Sequence, residues 1–229
     1  MQSVFVSGAN RGIGLEHVKR FATAGLHVYA AVRDPLAADA LTPLAASGQV
    51  TLIAYDAEDP GAPDRIAAAL QDKPLDLLFN NAGIYGGEKQ SLAGIDPEAF
   101  MTTIRVDALA PLLLTQALLP NLRQGARKII VNQSSRMGSI ADNGSGGFYA
   151  HRAAKAGLNM ITKSLALDLG HEGFIVVALH PGWVKTRMGG PRAPVDVGDS
   201  AAGQAALLQR LTKTDSGRFF DYTGAELPW

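Results

Sequence analysis

Six short apolar runs rich in β-branched residues alternate along the chain with longer stretches in which alanine and leucine recur at helical spacing. That alternation is the pattern of βαβ units, and it confines the fold to helices packed on a parallel sheet. The runs cover residues 4–7, 26–32, 50–55, 75–80, 128–133 and 174–180, with a short seventh at 219–220. Runs of this kind suit strands that helices cover on both faces. Helices are expected to start near Arg11, Leu36, Pro63, Pro97, His151 and Asp199. Proline in a first turn forfeits no hydrogen bond, which suits Pro63 and Pro97, and Asp96 stands where a helix cap belongs. No repeat, low-complexity segment or linker breaks the pattern. The expectation is a single α/β domain over residues 1–229, doubly wound, with a seven-stranded parallel sheet flanked by helices. Three irregular stretches, residues 85–94, 136–148 and 188–198, follow strands, where an open α/β sheet has its ligand crevice.

Composition narrows the partners. The 229 residues carry 21 basic and 21 acidic side chains, for zero net charge, and only 18% of residues are charged. Such a balance offers no basic footprint for nucleic acid or for an anionic membrane. Cysteine is absent, which removes disulfides, thiolate metal sites and a thiol nucleophile together. His17, His27, His171 and His180 are scattered, with no carboxylate or second histidine at ligand spacing, so no metal site is expected. The start, Met1-Gln2-Ser3, has no basic leader, and no apolar run reaches the roughly eighteen residues that span a bilayer. A cytoplasmic protein without membrane or nucleic-acid partners is expected.

The first run passes into Ser7-Gly8-Ala9-Asn10-Arg11-Gly12-Ile13-Gly14 and then into a helix. Gly8 permits a sharp turn, Gly12 lets the backbone approach a pyrophosphate at the helix N-terminus, and Gly14 permits close packing. The spacing is neither G-x-G-x-x-G nor that of a lysine-containing phosphate loop. Strand, turn and helix nevertheless stand in the order of a Rossmann-type dinucleotide site. The second run ends Ala30-Ala31-Val32-Arg33-Asp34, and the tip of that strand is where an adenosine ribose lies. Arg33, with Arg11, suits a 2′-phosphate. Asp34 is the contrary sign, because a carboxylate there accepts from a free ribose hydroxyl. The balance favours NADP over NAD.

Five motifs in order make the chain resemble the short-chain dehydrogenase/reductase family over nearly its whole length. They are the Ser7 to Gly14 turn, Asp56 after the third run, Asn80-Asn81-Ala82-Gly83 after the fourth, Ser134-Ser135 after the fifth, and Pro181-Gly182-Trp183-Val184-Lys185-Thr186 after the sixth. The segments S-S-R-M-G-S-I-A-D-N and G-R-F-F-D-Y-T-G-A-E-L-P-W are most similar to the branch of C-factor and sniffer-type carbonyl reductases. The resemblance implies a sheet in the order 3-2-1-4-5-6-7 and a cofactor held by Gly8, Asn10, Arg11, Gly12, Ile13, Gly14 and Arg33. It further implies that Asp56 contacts the adenine and that Asn81, Ala82 and Gly83 line the cofactor groove. Thr186, with the backbone of Pro181, Gly182 and Val184, would hold the nicotinamide carboxamide. The implied activity is hydride transfer between the nicotinamide and a small carbonyl or alcohol. The family pairs long apolar helices across subunits, so residues 111–119 and 153–169 imply a homodimer or homotetramer.

Two positions depart from the family pattern. The family's proton donor is a tyrosine four residues before a lysine, a spacing that a helix places on one face. The ammonium can then lower the phenol pKa while the lysine holds the nicotinamide ribose. Four residues before Lys155 stands His151, and Tyr149 has Ala153 at that distance. Where the family commonly has a water-anchoring asparagine, the chain has Asp107. Ser135, which would bond the substrate oxygen, and Lys155 are kept. Three readings stay open: His151 is the acid/base, Tyr149 swings in, or the protein is a cofactor-binding sensor or interaction protein with little turnover. An imidazole beside an ammonium is pushed toward its neutral form, a poor proton donor at neutral pH. An ionised Asp107 near Lys155 would partly cancel that field and help keep His151 protonated, so that the two departures compensate. An acyl-transfer pair of Ser135 and His151 is disfavoured, because no G-x-S-x-G elbow is present.

Overall fold

Valine, isoleucine, leucine and aromatic side chains fill the strands that lead from one crossover to the next. In chain order these are β1 (Ser3–Ser7), β2 (His27–Val32), β3 (Val50–Ala54) and β4 (Leu77–Asn80), then a two-residue hairpin of β5 (Gln90–Ser91) and β6 (Gly94–Ile95), then β7 (Ile129–Gln133), β8 (Ile175–His180) and β9 (Phe219–Asp221). The computed structural model describes residues 1–229. Seven strands pair in parallel in the order β3-β2-β1-β4-β7-β8-β9. With the small hairpin set aside, this is the 3-2-1-4-5-6-7 order expected. The order reverses between β1 and β4, so a crevice opens at the carboxyl ends of those strands.

The helices are α1 (Gly12–Thr23), α2 (Thr42–Ala46), α3 (Ala62–Leu70), α4 (Pro97–Ile104), α5 (Ala110–Gln124), α6 (Tyr149–Leu169) and α7 (Val197–Arg210). Successive strand residues face opposite sides. Val4 and Val6 therefore join a core with Val18 and Phe21 of α1 and Leu207 and Leu208 of α7. Phe5, between them, joins the other core with Ile66 of α3 and Leu114 and Leu118 of α5. Asp96 caps α4 by accepting from the Glu98 and Ala99 amides at 3.0 and 3.1 Å, a contribution of about 1 kcal/mol.

Two expectations need correction. The helix expected near Leu36 forms only as 3₁₀ turns at Pro35–Ala37 and Asp39–Leu41, followed by the five-residue α2. Pro43 has no N–H for the Asp39 carbonyl, so a helix begun at Leu36 cannot run through it. Second, α4 and α5 join through a π turn at Arg105–Leu109 into one 28-residue helix, Pro97–Gln124, which by length and composition is apolar enough to cross a membrane. An uninterrupted apolar run stops at Asp107, whereas the mean hydropathy carries across it. Half of the most apolar window is buried, and the helix packs on α3 and α6. Pro111 explains the π turn: it lacks the N–H that would bond the Asp107 carbonyl, and the wider turn precedes it.

Candidate active site

Backbone close to backbone defines the β1–α1 turn. Gly8 and Gly12 have positive φ, +66° and +54°. A Cβ on Gly14 would lie 2.3 Å from the Gly8 oxygen and 2.5 Å from Asn81 Nδ2. Asn81 stitches this turn to the end of β4, with Nδ2 donating to the Ser7 and Gly8 carbonyls at 2.8 and 3.1 Å. Ser7 Oγ accepts from the Asn81 and Ala82 amides, both at 3.0 Å. Gln133 at the end of β7 donates to Asn81 Oδ1 at 2.9 Å, so three strand ends are joined. Arg11 precedes α1 in extended backbone, no side chain caps that helix, and no acidic residue stands in its first turn. The amides of Gly12, Ile13 and Gly14 are thus a ready anion site.

Around this turn stand the other expected cofactor residues. Asn10, Arg11 and Arg33 are exposed, and neither arginine forms an ion pair within the chain. Asp34, the contrary sign in the sequence, spends its carboxylate on the Leu36 amide at 2.9 Å as the cap of the first 3₁₀ turn. Asp56 is exposed just past β3 and accepts from the Glu58 amide at 3.0 Å. Thr186 comes from the far side: a Cβ on Gly12 would meet its Cγ2 at 3.4 Å. The segment before Thr186 is held by Ser200 donating to the Pro181 carbonyl at 2.6 Å, by the bridge from Val184 to Val195, and by Gly182 turning at φ +86° against Tyr222.

At the start of α6 the working groups are side chains. Lys155 is 7% exposed, and its Nζ donates to the Gln133 carbonyl at 3.0 Å and pairs with Asp107 Oδ2 at 3.0 Å. Asp107, wholly buried in the π turn, also accepts from the Ile84 amide at 2.8 Å, and so ties the loop after β4 to Lys155. Gly83 lies against it, since a Cβ there would be 3.2 Å from Asp107 Oδ1. His151, one turn before Lys155, is buried, and its Nδ1 has no hydrogen-bond partner. Burial first, and then the Lys155 ammonium, push its pKa down to about 4, while Asp107 and the Ile84 backbone push the other way. Asp107 thus opposes Lys155, as expected, but it does not offset the loss of water around the imidazole, so the compensation stops short of a protonated His151.

Ser135 is half-buried at the end of β7 and accepts from the Met137 amide at 3.2 Å. Its neighbour Ser134 is buried and donates to Asn159 at 2.6 Å. Tyr149 is the exposed first residue of α6 and, two positions from His151, does not share its face. A different tyrosine reaches His151. The ring of Tyr85, on the loop after β4, lies 5.2 Å from the imidazole and 5.8 Å from Phe148. Sequence reading marked that loop as irregular but singled out neither Tyr85 nor Gln90. An aromatic residue soon after the Asn80 to Gly83 motif was the signal available for the first, and nothing local signalled the second.

The short chain dehydrogenase family profile matches residues 2–195. The chain belongs to the short-chain dehydrogenase family. It is 48% identical to the C-signal of Myxococcus xanthus over 156 residues, which are 68% of this chain and 93% of that protein. In structure it resembles the carbonyl reductase Sniffer of D. melanogaster, with a TM-score of 0.95, 34% identity and all of both chains covered. The NADPH-bound carbonyl reductase from chicken fatty liver matches with a TM-score of 0.93 and 35% identity over 100% of this chain and 99% of that one. Fold and family agree: this is a Rossmann-type member of an oxidoreductase family.

Proposed function

We propose that this dehydrogenase binds NADP(H) and interconverts a small carbonyl and its alcohol, with His151 in the place of the usual tyrosine and Asp107 in that of the usual asparagine. One observation carries the reading: Lys155 Nζ is fixed between Asp107 and the Gln133 carbonyl, one helical turn from His151. Gln133 in turn bonds Asn81, which holds the glycine turn. The proton site and the dinucleotide cradle are thus one hydrogen-bonded unit.

The residues present fit the cofactor. The uncapped start of α1 suits a pyrophosphate, and two arginines without acidic partners suit a 2′-phosphate. Asp34, turned to its own loop, does not compete for the ribose. The bound nicotinamide supplies or accepts the hydride. Ser135 Oγ bonds the substrate oxygen, His151 gives or takes the proton, and Lys155 holds the nicotinamide ribose. With a pKa of about 4, only about one His151 in a thousand is protonated at pH 7. Reduction therefore waits on a rare species, and its rate should climb as pH falls from neutrality toward the His151 midpoint. The same low occupancy favours a second reading, a cofactor-binding sensor with little turnover. A homodimer or homotetramer acting on a small molecule is part of the proposal, as is the use of a single domain.

Following NADPH consumption with a panel of small aldehydes and ketones across that pH range tests the proposal. Slow reduction that rises toward acid pH is expected. Tight NADPH binding with no turnover of any carbonyl or alcohol contradicts the oxidoreductase reading and leaves the sensor.

A further inference from the structure

The loop after β4 and the first turn of α6 are joined by one buried amide. A helix start leaves amide donors without intrahelical partners, and a polar side chain just before the helix normally answers one of them. In α6 that place is held by Phe148, at φ +51°, which has nothing to offer. The acceptor comes instead from Gln90, 61 positions earlier, whose Oε1 takes the His151 N–H at 3.0 Å. Its Nε2 donates to the Tyr85 carbonyl at 2.7 Å and to the Gly87 carbonyl at 3.0 Å. Gln90 is 5% exposed, so each of these bonds replaces one that water cannot supply.

Two further features act on the same point. Gly86 lies between the gripped carbonyls at φ +91°, where a Cβ would come within 2.9 Å of Thr103 Oγ1 and 3.2 Å of both Ala150 Cβ and Gln90 Oε1. The backbone of Gln90 is held in register by pairing with Ile95. We propose that Gln90 is a positioning residue for His151: it caps α6 at His151 while gripping the loop that carries Tyr85, and so keeps the tyrosine ring packed on the imidazole. The proposal rests on the reading that His151 occupies the proton-transfer position. Charged and titratable groups facing His151 are Lys155 and Arg152 from its own helix, Asp107 from the π turn and Tyr85 from the loop. Arg152 is itself tied to the Gly146, Gly147 and Met137 carbonyls, so cutting Gln90 leaves the Lys155, Arg152 and Asp107 side chains their own partners and acts on His151 through the Tyr85 loop.

An NMR titration of His151 in Gln90→Leu and in Gly86→Ala tests the proposal without needing turnover. Leucine keeps much of the volume and removes all three bonds, whereas alanine at 86 keeps the Gln90 amide but pushes the loop off α6. Burial is the first cause of the low His151 pKa. Loosening the loop should therefore raise its midpoint by about one unit in both variants, with the midpoints of His17 and His180 unchanged and NADPH Kd within about twofold. A merely structural role would lower Tm and leave the folded-state midpoint of His151 where it was, which overturns the proposal. Should Gln90→Leu not fold, Gly86→Ala decides, and the loss of NMR cross-peaks between the Tyr85 and His151 rings in that variant is the matching sign. An unchanged His151 with normal carbonyl turnover refutes Gln90 alone, while absent turnover in a wild-type protein whose variants do shift refutes only the oxidoreductase reading.

Discussion

Around the glycine turn, backbone is pressed on backbone: Gly14 has no space for a Cβ beside Gly8, and Asn81 laces the turn to β4. Around the start of α6, side chains are pressed on side chains, and the state of His151 depends on Lys155, Asp107 and the Tyr85 loop. The first region tolerates nothing larger than hydrogen at its tightest point. The second, on the proposed reading, carries His151 and Asp107 where a tyrosine and an asparagine are usual, within a fold like that of Sniffer. Sterics therefore constrain the glycine turn, whereas burial and electrostatics set the state of the groups around His151.

The sharpest way to break this comparison is Gly14→Ala. A methyl 2.3 Å from the Gly8 oxygen must displace α1 or the turn, and a loss of about 3 kcal/mol in unfolding free energy is expected. Chemical denaturation checks it, and a variant as stable as wild type would show that the turn is not sterically closed. Acid should strain both halves, since His17 on the buried face of α1 and His151 on α6, together with His180, are each lowered from 6.5 to about 4, chiefly by burial. The unfolded chain takes up protons that the folded one refuses. Stability is thus full above about pH 6.5 and falls, on the order of several kcal/mol in sum, as pH drops toward 4. Denaturation midpoints measured through that interval should decline steadily, and a flat profile contradicts the neutral histidines.

Arg33→Ala separates the halves. Losing a charge-assisted pair to a 2′-phosphate should cost about 1.5–3 kcal/mol, roughly ten- to a hundredfold in NADPH affinity, and leave NADH binding and the His151 titration alone. Equal NADPH and NADH affinities by calorimetry would remove the case for NADP. The smallest effect is expected from Asp107→Asn. It leaves the Lys155 field unopposed, so the His151 midpoint should move below its value of about 4. A midpoint that stays put or rises would mean that the Asp107 charge does not act on His151.

Much of the cofactor half was legible because its constraints are local. Strand, glycine turn and helix follow one another within residues 3–23, and Gly14 meets the Gly8 oxygen of the same turn. The pairing of Asp107 with Lys155 could also be foreseen from two motif positions. What escaped was long-range or depended on a single missing hydrogen-bond donor. Pro43 and Pro111 reshaped two helices by lacking an N–H, and Gln90 caps a helix 61 residues away with no turn or periodicity to announce it. The pull of Lys155 on His151 was legible, whereas burial, the main cause of its low pKa, belongs to tertiary structure.

The central claim, that the proton donor rather than the cofactor site limits the proposed activity, is tested most directly by His151→Tyr. NADPH-dependent reduction of a carbonyl panel at neutral pH should rise about a hundredfold in kcat, because the phenol regains the partner that Lys155 four residues on is placed to be, while NADPH Kd stays that of wild type. Unchanged or lower turnover across the panel with NADPH binding intact contradicts the claim.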